Sequence, residues 1–153
     1  MPIRRNELLA PLSREHHHGL LLCWKIRTGY RKNIAVDRMQ SYATWFYKTF
    51  LIDHFNIEEK YVFSVLGNDN PLVKQALMEH RKLRVLFEKI HENEKNLGLI
   101  EEKLEAHIRF EERVLFNEIQ QAASPEQLKE ITEKHSEQTS MQNIEEWTDE
   151  FWR

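Results

Sequence analysis

The sequence predicts an all-α protein, an up-down-up-down four-helix bundle with a short C-terminal helical extension. Only four Gly and four Pro occur among 153 residues, whereas regular apolar alternation is scarce and strong helix formers abound. Short polar connections join long helical stretches, and a ten-residue pattern occurs twice, at 54–63 and 107–116. We expect a single domain over 1–153, with the core bundle at about 8–122 and the extension at about 124–152.

The first predicted helix begins near Leu8 or, after Pro11, with Ser13 as its cap. It runs to about Thr28, where Gly29 can end it. Its inner face is apolar apart from one histidine. This helix therefore contributes a single buried imidazole to the interior.

Three consecutive histidines make the identity of that imidazole ambiguous. We favour His16, because leucines lie four residues before and after it on the same helical face. His17 is the alternative, since it would align with a second apolar pair. His18 is expected to face solvent.

The second predicted helix spans about 35–66 and carries His54 and Glu58 on an apolar stripe. The polar turn 67–70 ends it, and Pro71 opens the next helix in its first turn. We expect this helix to be the longest of the four.

Tyr61 lies one turn after Glu58 on the predicted inner stripe. Its hydroxyl would reach a metal ligand or a bound small molecule, or it would be an ordinary core tyrosine. The equivalent stripe of the fourth helix runs through His107, Glu111, Val114 and Leu115. Both stripes are predicted to face the interior.

The third predicted helix runs from Pro71 to about 97 and is closed by Gly98. It places His80 on its apolar face. Arg84, one turn later, is expected to lie at the surface or in an ion pair. This helix therefore contributes one histidine, as the first does.

The fourth predicted helix spans about 100–122, and Ser124 and Pro125 then start a short helix at about 126–135. His135, at its end, is expected to be exposed. A last segment carries Ile144, Trp147 and Phe151 at helical spacing. That segment would cap the bundle or pair two subunits as a homodimer.

The repeated pattern places a histidine four residues before a glutamate in both copies. On an α-helix this spacing puts His54 and Glu58, and likewise His107 and Glu111, on one face a turn apart. Titratable groups on an otherwise apolar face are costly unless something satisfies them. Each pair is therefore predicted to be a two-ligand metal clamp.

A second echo pairs the two remaining histidines. Glu15-His16 and Glu79-His80 are each followed by a leucine seven residues after the glutamate. The chain order is thus a lone histidine and a clamp, twice over. Four imidazoles and two carboxylates suit two first-row metal ions. Glu59 and Glu112, rotated about 100° off the stripe, are expected to face solvent or support a ligand.

This pattern resembles that of the hemerythrin-like, HHE cation-binding domains, over roughly residues 8–120. The four-His, two-Glu set is more similar to the sensor and iron-centre-repair members than to the oxygen carriers. Carriers have a further histidine where this chain has Arg84, and their last motif is His-x-x-x-x-Asp rather than His107-x-x-x-Glu111.

The resemblance implies a non-haem di-iron site in which Glu58 and Glu111 bridge the irons, together with an oxo, hydroxo or water bridge. His16 and His54 would serve one iron, and the other two histidines the second. Zinc or manganese would also fit these donors. The predicted ligands are His16, His54, Glu58, His80, His107 and Glu111, with His17 as an alternative and Tyr61 in support.

The leading functional hypothesis is a protein that binds dioxygen or nitric oxide for sensing, storage or protection, with no substrate turnover required. One alternative is an iron donor that repairs damaged iron–sulfur centres. That class often carries an N-terminal Cys-rich domain, whereas this chain has only Cys23. The other alternative is a metal-free helical interaction module.

Charge and composition exclude some classes of binding partner. The net charge of −3 and pI near 6.2 give no basic patch for nucleic acid, and no apolar run approaches the ~18 residues of a membrane span. Cys23 cannot form an internal disulfide and is expected to be a buried thiol. We expect a cytoplasmic protein with no nucleic-acid or membrane partner.

Overall fold

The computed structural model describes residues 5–137 and 147–153, and within these residues the protein is all-α, without a strand. Three π-helical segments and one 3-10 turn interrupt or end the α-helices. The α-helices are α1 (Ala10–Arg31), α2 (Val36–Phe46), α3 (Ile52–Ile57), α4 (Pro71–Glu88), α5 (Lys95–Phe110), α6 (Phe116–Ala122) and α7 (Pro125–Glu137). The π-helical segments are π1 (Tyr47–Leu51), π2 (Glu58–Val62) and π3 (Glu111–Leu115).

The helix α1 ends later than predicted, at a Schellman motif. Asn33 adopts a left-handed conformation with φ of 55°. Its N–H donates to the Tyr30 carbonyl, while the N–H of Ile34 donates to the Gly29 carbonyl at 2.9 Å. These bonds satisfy the last free carbonyls of the helix. Asn33, and not Gly29, is therefore the terminating residue.

Gly29 lies inside α1 for a different reason. A Cβ atom there would collide with the buried side chain of Met39 and approach the Phe151 ring to 3.1 Å. Glycine allows α2 and the C-terminal residues to pack directly on the α1 backbone. The prediction that Gly29 ends the helix was wrong because sequence alone does not show this close approach.

The second helical segment, 36–65, matches the prediction in extent but is not a uniform α-helix. The segments π1 and π2 interrupt it, and a 3-10 turn, Phe63–Val65, ends it. In π1 the N–H of Ile52 donates to the Tyr47 carbonyl, and in π2 that of Phe63 donates to Glu58. These five-residue spacings widen the turn locally.

The boundary between the third and fourth segments differs from the prediction. Pro71 does open α4, with the Asn70 side chain accepting from the Leu72 N–H at 2.8 Å. The helix stops at Glu88, however, and α5 begins at Lys95, so that Gly98 lies inside the first turn of α5.

An asparagine marks the start of α5. The Asn93 side chain accepts from the Lys95 N–H at 2.9 Å, which satisfies one free donor at the start of α5. The fourth helical segment therefore runs over 95–122 as α5, π3 and α6.

Two apolar clusters divide the interior. One includes Leu22, Phe55 and Leu104, and the other includes Leu12 and Leu115. The histidines and glutamates of the predicted site fall between members of the two clusters along each helical segment. This places them at mid-height of the helices, far from the helix ends.

The helix α7 begins as predicted, with Ser124 as its cap. The Gln127 N–H donates to the Ser124 hydroxyl at 3.1 Å, and the Gln127 side chain accepts from the Ser124 N–H at 2.9 Å, which is a capping box. Its C-terminal histidine, His135, is buried at 8 % exposure. The prediction that His135 is exposed was wrong, because α7 lies against α1 and α3 and does not project away.

The last seven residues form a turn and not the helix that their spacing suggested. Phe151 is buried, and its ring lies 5.7 Å from that of Tyr42, while the Trp152 ring lies 5.1 Å from it. These residues cover one end of the helices. Ile144 lies outside the described residues, and pairing of two subunits through this segment stays a prediction.

None of the described helices combines the length and the apolarity needed to cross a lipid bilayer.

Candidate metal centre

Six buried side chains from all four long helical segments converge at mid-height. Each is at most 6 % exposed. They form two overlapping groups whose donor atoms lie within 4.8 Å of one another: His16, His54 and Glu58 in the first, and Glu58, His80, His107 and Glu111 in the second. These are the six residues that the repeat indicated, and the cluster they form can hold a metal ion.

Glu58 belongs to both groups because its two oxygens face in different directions. Its Oε2 lies 3.3 Å from Nε2 of His54 and 3.4 Å from Nε2 of His16. Its Oε1 lies 3.3 Å from Nε2 of His80. One carboxylate therefore presents one oxygen to each half of the cluster.

Glu111 lies on the fourth helical segment, at the position of the repeat that Glu58 occupies in the second. Its Oε1 is in close contact with Nε2 of His107 and lies 3.8 Å from Nε2 of His80. Nε2 of His16 is 3.9 Å away. The two carboxylates thus occupy the middle of the cluster, with imidazoles on both sides.

Outside the cluster, every one of these histidines is held by a further carboxylate. In each case the ring Nδ1–H donates to a glutamate oxygen. The pairs are His16 with Glu112 at 2.6 Å, His54 with Glu15 at 2.9 Å, His80 with Glu59 at 2.6 Å and His107 with Glu79 at 2.6 Å. Such bonds fix the tautomer and leave Nε2 as the inward-facing donor atom.

The inward-facing atoms then lack ordinary partners. Among the described residues, hydrogen bonds are missing for Nε2 of His54, His80 and His107, for Oε1 of Glu58 and for both oxygens of Glu111. When an imidazole is neutral with Nδ1 protonated, Nε2 and a carboxylate oxygen are both acceptors and need a proton or a cation between them. Each such buried group costs about 1–3 kcal/mol unless satisfied. A cation between them removes that cost.

The outer carboxylates repeat with the same two-fold pattern as the ligand candidates. Glu15 and Glu79 each precede a clustered histidine, and Glu59 and Glu112 each follow a clustered glutamate. Each supports a histidine on a different helical segment. The expectation that Glu59 and Glu112 face solvent or support a ligand is met in its second form, since both hold imidazoles.

The supporting role of Glu15 and Glu79 was missed from the sequence. The signal was present, because both residues belong to the Glu-His echo that pointed to His16 and His80. A glutamate next to a ligand histidine points about 100° away on the helix. It therefore reaches the neighbouring segment and leaves its own histidine to another carboxylate.

Each outer carboxylate is in turn anchored by one more side chain. These anchors are Arg5 for Glu112 at 2.9 Å, Arg84 for Glu59 at 2.6 Å, Gln75 for Glu79 at 3.1 Å and His135 for Glu15 at 2.9 Å. Arg84 thus forms the ion pair expected of it. The result is a set of four radial chains from the surface to the cluster.

Electrostatic coupling within the metal-free cluster is strong. Burial lowers the pKa of His16, but its contacts with Glu112 and Glu58 outweigh this and raise the pKa to about 9. Burial likewise lowers the pKa of His80, but its contacts with Glu111, Glu58 and Glu59 outweigh this and raise the pKa to about 10. Protons therefore occupy the cluster when metal is absent, and metal binding releases them.

The other histidines of the triplet lie away from this site. His17 and His18 are exposed, whereas His16 is buried in the cluster. Cys23 is buried as expected, and burial is the main cause that raises the pKa of its thiol to about 12. A thiol with that pKa stays protonated at neutral pH and is a poor metal ligand.

The π-helical segments shift the inner stripe after each clustered glutamate. Both π2 and π3 begin at that glutamate. The wider turn rotates Tyr61 and Val114 outward and brings Val62 and Leu115 inward. Val114 is 41 % exposed, so the prediction that it faces the interior was wrong.

Tyr61 follows the same rotation as Val114. Its ring is partly buried, with the ammonium groups of Lys60 and Lys134 at 5.3 and 6.0 Å from its centroid. Tyr61 projects from π2 toward Lys134 of α7. It does not line the small cavity that adjoins the cluster. Among the described residues, no contact joins the Tyr61 side chain to a predicted metal ligand, so the structure does not support its predicted role.

A small cavity adjoins the cluster on one side. Its walls include His54, His107 and Glu111 together with apolar side chains such as Phe50 and Leu104. About 20 Å³ is open to a molecule the size of water, which is enough for one such molecule. The open space beside the donor atoms is therefore that of one water-sized molecule.

No protein-family model matches the chain, and neither a curated protein nor a solved structure shows significant similarity to it. An all-helical chain with a buried His/Glu cluster able to hold a metal is compatible with a hemerythrin-like fold.

Proposed function

We propose that this chain is a hemerythrin-like, non-haem di-iron protein that binds dioxygen or nitric oxide. The observation that carries the proposal is the set of buried, inward-facing donor atoms without hydrogen-bond partners. A metal-free interaction module would have only protons to satisfy them. The four long helical segments are proposed to form an up-down-up-down bundle around the metals.

The proposed ligand set follows the two groups of donor atoms. His16 and His54 would hold one iron, and His80 and His107 the other. Glu58 would bridge them, since its two oxygens already face the two histidine pairs. Glu111 would provide the second bridging carboxylate. This donor set suits iron, and zinc or manganese would also fit it.

Open coordination positions follow from counting donors. Four imidazole nitrogens and two bridging carboxylates cannot fill two octahedral metal ions. Bound iron would supply affinity for small diatomic molecules at these positions. The adjoining cavity would admit one such molecule, while Phe50 and Leu104 would limit access of bulk water.

The small cavity favours ligand binding over turnover of an organic substrate, and we propose a role in sensing, storage or protection in the cytoplasm. The iron-donor alternative gains no support from Cys23, because burial keeps its thiol protonated. The outer glutamates would hold the imidazoles in one orientation as the ligand state changes.

An optical titration tests the proposed ligand. Protein reconstituted with ferrous iron under anaerobic conditions is exposed to dioxygen, or separately to nitric oxide. We expect a new visible absorption that saturates with the added gas and returns to baseline when the gas is removed. An iron-loaded protein with a spectrum indifferent to both gases would contradict the proposal.

A further inference from the structure

The helix α7 is held by few apolar contacts. Its thirteen residues contain only two buried aliphatic side chains, Leu128 and Ile131. Its remaining attachments are polar, including a hydrogen bond from the Thr132 hydroxyl to the Leu8 carbonyl at 2.9 Å. Most stability of a helix in a protein comes from packing of its apolar face. The docking of α7 therefore depends on its polar contacts more than is usual.

The polar contact at the C-terminal end of α7 leads to the cluster. Nε2 of His135 lies 2.9 Å from Oε1 of Glu15, and the same oxygen lies 2.9 Å from Nδ1 of His54. One carboxylate oxygen thus lies within 2.9 Å of two imidazoles, as the hydrogen-bond acceptor of His54 and in an ion-pair contact with His135. Glu15 is therefore the group through which α7 contacts His54.

The series of contacts from His135 through Glu15 to His54 breaks the two-fold pattern of the four anchors. At the equivalent position, Glu79 is held by Gln75 from its own helix, and the groove beside it, lined by Met78 and Lys103 among others, is open to solvent. The anchor of Glu15 instead comes from a separate, weakly packed helix. The His54 side of the cluster therefore depends on whether α7 is docked.

We propose that α7 senses the occupancy of the metal centre, with His135 as the positioning residue that links the two. The inference rests on the proposed metal-binding function. Docked α7 holds Glu15 and so fixes Nδ1 of His54, which directs Nε2 at the metal. Because coupling between two equilibria is reciprocal, the factor by which docked α7 raises metal affinity is the factor by which bound metal favours the docking of α7.

The first arm of the test measures metal retention. Wild-type protein and the variants His135→Ala, His135→Gln and Lys129→Ala are loaded anaerobically with ferrous iron and mixed with excess chelator. We expect His135→Ala to release iron roughly tenfold faster, at the low end for loss of an outer partner. His135→Gln keeps a polar N–H group and should restore most of the retention. Lys129→Ala changes an exposed residue of the same helix and should release iron at close to the wild-type rate.

The second arm measures α7 itself. Hydrogen exchange of the 125–137 amides is compared in metal-free and iron-loaded protein. We expect iron to slow this exchange at least about tenfold in the wild type and far less in His135→Ala, as reciprocity requires. The Lys129→Ala variant should retain the wild-type response and serves as the matched control.

The outcomes separate the two proposals. Wild-type protein that binds no iron would overturn the proposed function and the sensing role together. Iron binding with unchanged α7 exchange, or equal iron release from His135→Ala and Lys129→Ala, would overturn the sensing role alone. Failure of His135→Gln to restore retention would overturn the polar contact with Glu15 as the link between α7 and the cluster.

Discussion

His16 and His17 are neighbours in sequence but differ completely in surroundings. The first is buried with Nε2 facing Glu58, and the second is exposed on the outer face of α1. Adjacent residues on a helix point about 100° apart. At the scale of single residues, this pair is a natural matched control for the ligand assignment.

We expect His16→Ala to bind fewer than two irons per chain, because it removes one of the few nitrogen donors. His17→Ala should bind as much iron as the wild type, since it alters only an exposed side chain. Iron content after anaerobic reconstitution and desalting measures both. Equal loading of the two variants, or loss in His17→Ala alone, would contradict the assignment of His16.

The outer carboxylates allow a second test at residue scale. Glu112→Gln should weaken metal affinity roughly 10- to 100-fold, because the amide no longer fixes the His16 tautomer with a charged acceptor. Competition with a chelator of known affinity measures the change. The exposed Glu102→Gln is the control that makes the same chemical change outside the site. A Glu112→Gln affinity matching this control would refute the supporting role.

The sequence indicated the six clustered residues because a repeat carries spatial information. Two copies of His-x-x-x-Glu, each on an apolar stripe, must face the same interior when four helical segments pack together. His135 gave no such signal. Its burial depends on where α7 lies, which is tertiary information that local spacing does not contain.

At the scale of elements, helix extents were predictable where a turn residue acts locally. Pro71 opens α4 and Ser124 caps α7 as expected. The π-helical segments were not, because periodicity assumes 3.6 residues per turn. A single wide turn shifts every later position. This explains why Val62, and not Tyr61, continues the inner stripe of the second segment, and why only Leu115 of the predicted pair Val114 and Leu115 does so in the fourth.

The two misassigned glycines make a matched pair for a stability test. Gly29→Ala should destabilise the fold by about 1–3 kcal/mol, because the new methyl group meets buried Met39 and Phe151. At Gly98 a Cβ meets nothing within 4 Å. Gly98→Ala should therefore stabilise by about 0.5–1 kcal/mol through higher helix propensity.

Urea denaturation of the metal-free variants gives the free energies of unfolding for this pair. A Gly29→Ala variant as stable as the wild type would mean that α1 and α2 do not approach as closely as the structure shows. A destabilised Gly98→Ala variant would mean that Gly98 acts as a helix terminator after all.

At the scale of the whole molecule, the cluster joins segments that are distant in sequence. Its six side chains come from α1, the second segment, α4 and the fourth segment, and they lie between two separate apolar clusters. A metal bound there would cross-link all four segments. Without it, six buried atoms of the cluster lack a hydrogen-bond partner among the described residues.

Metal removal should therefore lower the stability of the entire fold. At free metal 100 times the dissociation constant, binding to the native state alone adds about 2.7 kcal/mol to the free energy of unfolding. Thermal unfolding of iron-loaded protein with and without chelator measures this effect. Identical melting temperatures in protein shown to have lost its metal would contradict it.

The metal content of purified wild-type protein after anaerobic reconstitution with ferrous iron decides whether the cluster holds two irons. The four inward-facing imidazoles and the two central carboxylates predict two irons per chain. A single iron, or a preference for zinc that excludes iron, would remove the di-iron assignment. Absence of any bound metal would leave the buried acceptors unexplained and contradict the account as a whole.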